Sequence, residues 1–146
     1  MIIKENKSKI NELIIGQTIP SFNVKIDKRT YKSYNRLIGE INPIHLSKKY
    51  AQNLGFDDIV VAGNFLFSIV NKWIINWIKD VKIYKKIFIK FENPVYPDNN
   101  VTFSGKISNI YNNQNEKIII CDYQAEKAGD IKVMTGQFEL RLNSNN

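Results

Sequence analysis

A chain of 146 residues with 43% hydrophobic content is long enough for one domain with a sizeable core, and too apolar for a disordered tail. No apolar run reaches membrane-spanning length, and the first residues lack the apolar stretch of a secretory signal, so a cytoplasmic protein with no membrane partner is expected. The net charge of +7 is spread along the chain, without a basic block interleaved with stacking aromatics, which argues against a nucleic-acid partner.

Residues 1–12 are polar and read as a loose lead-in. A turn near Gly16 and the alternation of Phe22, Val24 and Ile26 predict a strand. Asp27 is a helix N-cap, and the helix it opens carries Tyr31, Tyr34, Leu37 and Ile38 on its apolar face. Gly39 stops that helix. Ser47 caps a second short helix that runs to Leu54 and closes on Gly55. Ala62, Gly63 and Asn64 then lead into the longest apolar helix, residues 65–78. It is apolar around most of its circumference, so burial on nearly all sides is expected.

The second half reads as strands. Residues 82–91 form one, and a turn-rich break spans 93–100. Residues 101–111 form the next, and Asn112, Asn113, Gln114 and Asn115 make a hairpin turn. Residues 116–125 follow, then a turn at Ala128, Gly129 and Asp130. The last strand, 131–142, places Val133, Thr135, Gln137, Glu139 and Arg141 on one face. Lys132, Met134, Gly136, Phe138, Leu140 and Leu142 take the other. Residues 143–146 are expected to be disordered. Helices grouped ahead of an antiparallel meander make an α+β fold, read as a single domain over 1–146. The single cysteine, Cys121, lies in an apolar run and reads as a buried small side chain, not a nucleophile.

Chemistry concentrates in Gly39-Glu40-Ile41-Asn42-Pro43-Ile44-His45, which holds the only histidine of the chain. Pro43 fixes its own φ and pushes Asn42 out of the α region, so the backbone must bend here. A carboxylate and an imidazole on either side of one bend can face a common point and act as a general acid–base pair. A histidine after Asn-Pro can equally be a brace for the bend. Residue types and spacing leave both readings open.

The stretch from Tyr34 to His45 resembles the signature of the MaoC-like (R)-specific enoyl-CoA hydratases and related hydroxyacyl-ACP dehydratases, Gly-Asp-x-Asn-Pro-x-His. Every defined position matches except the acid, which is Glu40 here. Asn93-Pro94-Val95-Tyr96-Pro97-Asp98 is similar to the family's Pro-Val-x-Pro-Gly-Asp turn, with its Asp one place early. The resemblance implies a hotdog fold, an antiparallel sheet wrapped around one long helix. It implies water added syn to a trans-2-enoyl thioester, or the reverse dehydration, on acyl-CoA or acyl-ACP, with no metal, cofactor or prosthetic group. Glu40 and His45 would hold the water and pass protons. The backbone N–H of Gly63 would meet the thioester oxygen, a placement the free first-turn N–H groups and the dipole of a helix favour. Asn42 and Pro43 would shape the bend. Phe65, Leu66 and Phe67 are candidates for an acyl pocket, and otherwise core.

Two departures from the family pattern keep a second reading in view. Glu40 is one methylene longer than the usual Asp, and Ala62 stands where the family has His before Gly63. A catalytically silent hotdog subunit, or a protein that binds acyl thioesters without turning them over, is the alternative. A homodimer or larger assembly is expected in either case, since joining sheets edge to edge covers an exposed strand, and a hetero-oligomer is the variant with one silent subunit.

Overall fold

The computed structural model describes residues 12–78 and 83–143. The lead-in 1–11, Lys82 and the last three residues of the tail lie outside them, while Asn143 belongs to the last strand. The elements in order are β1 (Thr18–Lys25), α1 (Lys28–Ile38), a 3-10 turn (Pro43–His45), α2 (Lys48–Asn53), α3 (Gly63–Trp77), β2 (Ile83–Phe91), β3 (Asn100–Asn113), β4 (Glu116–Lys127) and β5 (Ile131–Asn143). The strands form one antiparallel sheet in the order β1-β3-β4-β5-β2.

α3 is the axis of the core. Leu66, Ile69, Val70, Trp73, Ile74 and Trp77 are buried on it at helical spacing. Trp73 packs against Phe103, Tyr123 and Phe138 of three successive central strands, and its indole N–H donates to the carbonyl of Pro20 at 2.7 Å. The helix is not buried all round, as its composition suggests. Asn64, Phe67, Ser68, Lys72, Ile75 and Asn76 form a continuous exposed stripe. Apolar content alone overstates burial here, because Phe67 and Ile75 fall in register with the polar side chains.

α1 also differs from expectation. Asp27 caps it, accepting the Thr30 N–H at 2.8 Å, and Gly39 ends it in the left-handed conformation at φ 67°. Its buried residues are Tyr31 and Asn35, four apart, while Leu37 and Ile38 face out. The inward stripe is centred on a polar residue, so a search for apolar spacing rotates the helix away from its true face.

Bulges curve the sheet around α3. One lies between β4 and β5, where Ala125 pairs with Met134 but the neighbouring Glu126 pairs with Lys132. Val133 is the extra residue, so Val133 and Met134 are both buried. The strict alternation expected for β5 therefore breaks at Val133. From Met134 onward it holds, with Phe138, Leu140 and Leu142 in the core.

Candidate active site

The bend after α1 is built from its own side chains. Glu40 folds back so that Oε1 accepts the N–H of Ile41 at 3.0 Å and of Asn42 at 2.9 Å. Asn42 caps the 3-10 turn, its Oδ1 accepting the Ile44 N–H at 3.2 Å, with Pro43 as the first residue of that turn. Ser47 caps α2 by accepting the Tyr50 N–H. Glu40 and the two caps Asn42 and Ser47 thus supply acceptors for backbone N–H groups along the chain from α1 to α2.

His45 leaves this bend toward the segment 60–62, which ties three parts of the fold together. The Nδ1 of His45 lies 2.7 Å from the carbonyl oxygen of Val60. A carbonyl only accepts, so Nδ1 carries a proton toward Val60, and in the neutral ring Nε2 is the nitrogen with the lone pair. The Val60 N–H donates to Ile44, and the Val61 N–H to Val95 in the turn before β3. The Ala62 N–H donates to the Tyr31 hydroxyl at 2.9 Å, and that hydroxyl donates to the Val60 carbonyl at 3.3 Å. Asn35, buried beneath, donates to the carbonyl of His45 at 3.3 Å. Burial pushes the Tyr31 hydroxyl above its ordinary range, opposed by contacts with Asn35 and Ala62, so it stays protonated.

Two cavities meet at His45. One, of about 380 Å³, is walled by Lys32, Asn35, Arg36, Glu40, His45 and Ile59. The other, of about 320 Å³, is walled by His45, Val60, Val61, Gly63, Leu66 and Phe91. His45 therefore shares one wall with Glu40 and another with Gly63, while Glu40 and Gly63 do not share one. Asn42 and Pro43 lie on the bend and line neither cavity.

Of the three residues suggested for an acyl pocket, the structure takes only Leu66 into a cavity. Phe65 packs edge-on against Tyr31 and Tyr34, with ring centroids 5.1 and 5.0 Å away. Phe67 stands on the exposed stripe of α3. The head of the helix turns one side chain in three toward the cavity, as helical spacing requires.

Gly63 begins α3, and Ala62 supplies no side-chain cap to the first turn. A Cβ on Gly63 would lie 2.7 Å from the ring of Phe91, so the ring rests directly on this backbone. The far wall of the same cavity includes Pro94 and Val95 of the turn before β3. Asp98 in that turn adopts φ 66°, a left-handed conformation, at the position where the family pattern has glycine. Lys127 pins the turn by donating to the Pro94 carbonyl at 2.6 Å and lying over the Tyr96 ring. Burial holds the Lys127 ammonium below its ordinary range, with Asp57 opposing.

Sequence reasoning missed Tyr31, Asn35 and Phe91. The i, i+4 pair Tyr31 and Asn35 was visible as a pattern, but only a fold shows that a polar pair faces inward. Cys121 is buried, its thiol pushed up to about 12 by burial first and Asp122 second, which suits an inert core residue.

A sheet curled on one helix, with an acid–imidazole bend set against the helix tip, defines a hotdog domain of the MaoC class. The MaoC like domain family matches residues 11–128, and the chain belongs to that family. Among solved structures it is similar to an (R)-hydratase from A. caviae involved in PHA biosynthesis, at 20% identity and TM-score 0.78, covering 89% of this chain and 97% of that one. An Archaeoglobus monoamine oxidase regulatory protein matches at 14% identity and TM-score 0.81, covering 93% and 94%. The HadBC 3R-hydroxyacyl-ACP dehydratase complex of Mycobacterium tuberculosis matches at 16% identity and TM-score 0.74, covering 88% and 96%. These likenesses carry the fold. No curated protein sequence matches the chain significantly. Among the described residues no helix is long and apolar enough to cross a membrane.

Proposed function

We propose that this protein is a hydratase or dehydratase that interconverts trans-2-enoyl and (R)-3-hydroxyacyl thioesters on coenzyme A or a carrier protein. The observation that carries this reading is the 2.7 Å contact between His45 Nδ1 and the Val60 carbonyl oxygen. With its Nδ1 proton committed to Val60, Nε2 is free to take a proton from water. Glu40, across the shared cavity, keeps Oε2 clear of the turn bonds that occupy Oε1, and holds the same water.

In the hydration direction, water held between Glu40 and His45 attacks C3 of the enoyl thioester. A proton goes from the water to this pair, and the pair delivers a proton to C2. Negative charge passes to the thioester oxygen as an enolate. The Gly63 N–H, at an uncapped helix tip, meets that oxygen; such donors matter most where charge develops. The acyl chain follows Leu66 and Val61 under the Phe91 ring. The A. caviae (R)-hydratase and the HadBC dehydratase carry out reactions of this class on the same fold.

The test is loss of enone absorbance when the purified protein meets crotonyl-CoA, with His45→Ala beside it. Turnover that His45→Ala leaves unchanged would rule the mechanism out.

The second reading is a thioester-binding or silent partner subunit. The bonds from Ile41 and Asn42 to Glu40, which also make it a turn-former, favour it, as does Ala62 in place of the family's His. Crotonyl-CoA bound at equilibrium but never consumed would select this reading. Either way we propose a homodimer or larger assembly in the cytoplasm, checked by light scattering.

A further inference from the structure

We propose that Tyr31 is a positioning residue that couples the imidazole of His45 to the helix tip at Gly63 through one shared carbonyl. This deepens the hydratase reading, since it concerns the same site.

Tyr31 is fully buried. Its ring needs no hydroxyl to pack, because Phe65 meets the ring edge-on. The hydroxyl nevertheless makes two bonds that converge on the site. It accepts from Ala62, the residue immediately before the Gly63 N–H, at 2.9 Å. It donates at 3.3 Å to the Val60 oxygen that also receives His45 Nδ1 at 2.7 Å. One carbonyl thus has two donors, and one hydroxyl spans from the imidazole's anchor to the first residue before α3.

The consequence is mechanical and electronic. The Val60–Ala62 strap cannot shift without moving both the anchor of the ring and the start of α3. The carbonyl divides its electron density between two protons, so the Tyr31 bond weakens the His45 bond. Burial keeps the hydroxyl neutral, so it remains a donor. The charged groups facing His45 are Glu40, Lys32 and Arg36 across one cavity and Glu92 at the rim of the other. None of them contacts the Val60 oxygen within hydrogen-bond reach, so the Tyr31 effect reaches the ring by a separate route.

The experiment is Tyr31→Phe in the full chain, read three ways. In the NMR spectrum the His45 ring signals are unambiguous, because the chain has one histidine. The Nδ1 proton should move downfield in the variant, as Val60 binds it alone. Exchange of the Ala62 amide should quicken. With crotonyl-CoA, kcat should fall at least about tenfold while KM stays within about twofold, since the loss is one of alignment. A folded variant with unchanged Nδ1 and Ala62 signals overturns the coupling. If the wild-type chain turns over no enoyl thioester, the hydratase reading fails, and the two NMR signals alone decide the coupling.

If Tyr31→Phe does not fold, the wild-type chain still tests the proposal. Two protons on one carbonyl oxygen lie close together, so a cross-relaxation peak between the Tyr31 hydroxyl and His45 Nδ1 protons is expected. Its absence, with both resonances assigned, overturns the shared anchor.

Discussion

The carboxylate of Glu40 accepts the N–H of Asn42, two residues on, at 2.9 Å, and so one side chain both builds the bend and faces the cavity that His45 shares. Structure and chemistry can be separated here by charge. Glu40→Gln keeps an oxygen acceptor for the Ile41 and Asn42 N–H groups but removes the negative charge and the proton-carrying capacity. The expected outcome is an unchanged thermal midpoint and a kcat on crotonyl-CoA lower by about a hundredfold or more. A fully active Glu40→Gln would make Glu40 a turn-former only.

Glu40→Asp probes reach. The family pattern has Asp, and here the extra methylene is used to fold Oε1 onto the turn. Removing it shifts the carboxylate by about 1.5 Å of bond length, and about 1 Å of misplacement can change rate on the order of a hundredfold. We expect Glu40→Asp to be slower, because Val60, Tyr31 and Asn35 hold His45 where a longer acid meets it. A faster variant would show that the turn tolerates the shorter acid and that Glu40 is a poor fit. Steady-state kinetics decide the sign.

Gly63 and Phe91 form a second separable pair. Gly63→Ala would place a methyl 2.7 Å from the Phe91 ring. That ring is half exposed and at the edge of the sheet, so it can swing away rather than unfold the chain. Gly63→Ala should therefore keep its stability and lose turnover, as the displaced ring and the methyl crowd the helix tip. Phe91→Ala in the same chain should restore part of the rate. A double variant as slow as Gly63→Ala would mean the methyl itself blocks the N–H.

Much of this is legible in the sequence, and the rest is hidden for physical reasons. Whereas Asn42 as a shaper of the bend rests on the family pattern, Asp27, Gly39 and Ser47 are local devices whose action depends on immediate neighbours, so the residues in order reveal them. The Glu40–His45 bend was legible for the same reason. The burial of Tyr31 was legible, but not the partners of its hydroxyl or the inward turn of Asn35, since those partners lie in the bend and at 60–62, and a buried Asn on an inward face defeats an apolar-period reading. Phe91 reaches Gly63 from a strand that follows α3, a tertiary contact with no sequence signature. The bulge at Val133 breaks a period of two that residues alone do not interrupt.

Gly136 supports a stability prediction. It lies in β5 between β4 and β2, where a Cβ would come within 2.2 Å of the Phe88 carbonyl oxygen and 2.7 Å of the Tyr123 ring. The first neighbour is backbone, paired in the ladder with Gln137, and cannot turn aside. Gly136→Ala should destabilise the fold by about 1–3 kcal/mol or more through overpacking, measured as a lower urea midpoint. A midpoint within error of wild type would mean β2 moves freely against β5.

Alkaline pH offers a test that needs no substrate. Cys121 is held protonated by burial, from an ordinary value of 9.0 to about 12, and Tyr123 is pushed higher still by the same cause. The unfolded chain ionises these groups first, so it binds fewer protons than the folded chain between pH 9 and 12. Their contribution is whole below the unfolded values and is lost as pH rises toward the folded ones. Each group that is ionised only when unfolded lowers stability by about 1.4 kcal/mol per pH unit. Urea midpoints should therefore fall steeply from pH 9 upward. Cys121→Ala should start from a lower midpoint, having left a small cavity, but decline less between pH 9 and 10, because the thiol ionises ahead of tyrosine in the unfolded chain. Parallel curves for the two proteins would show that Cys121 is not protected from ionisation by the core.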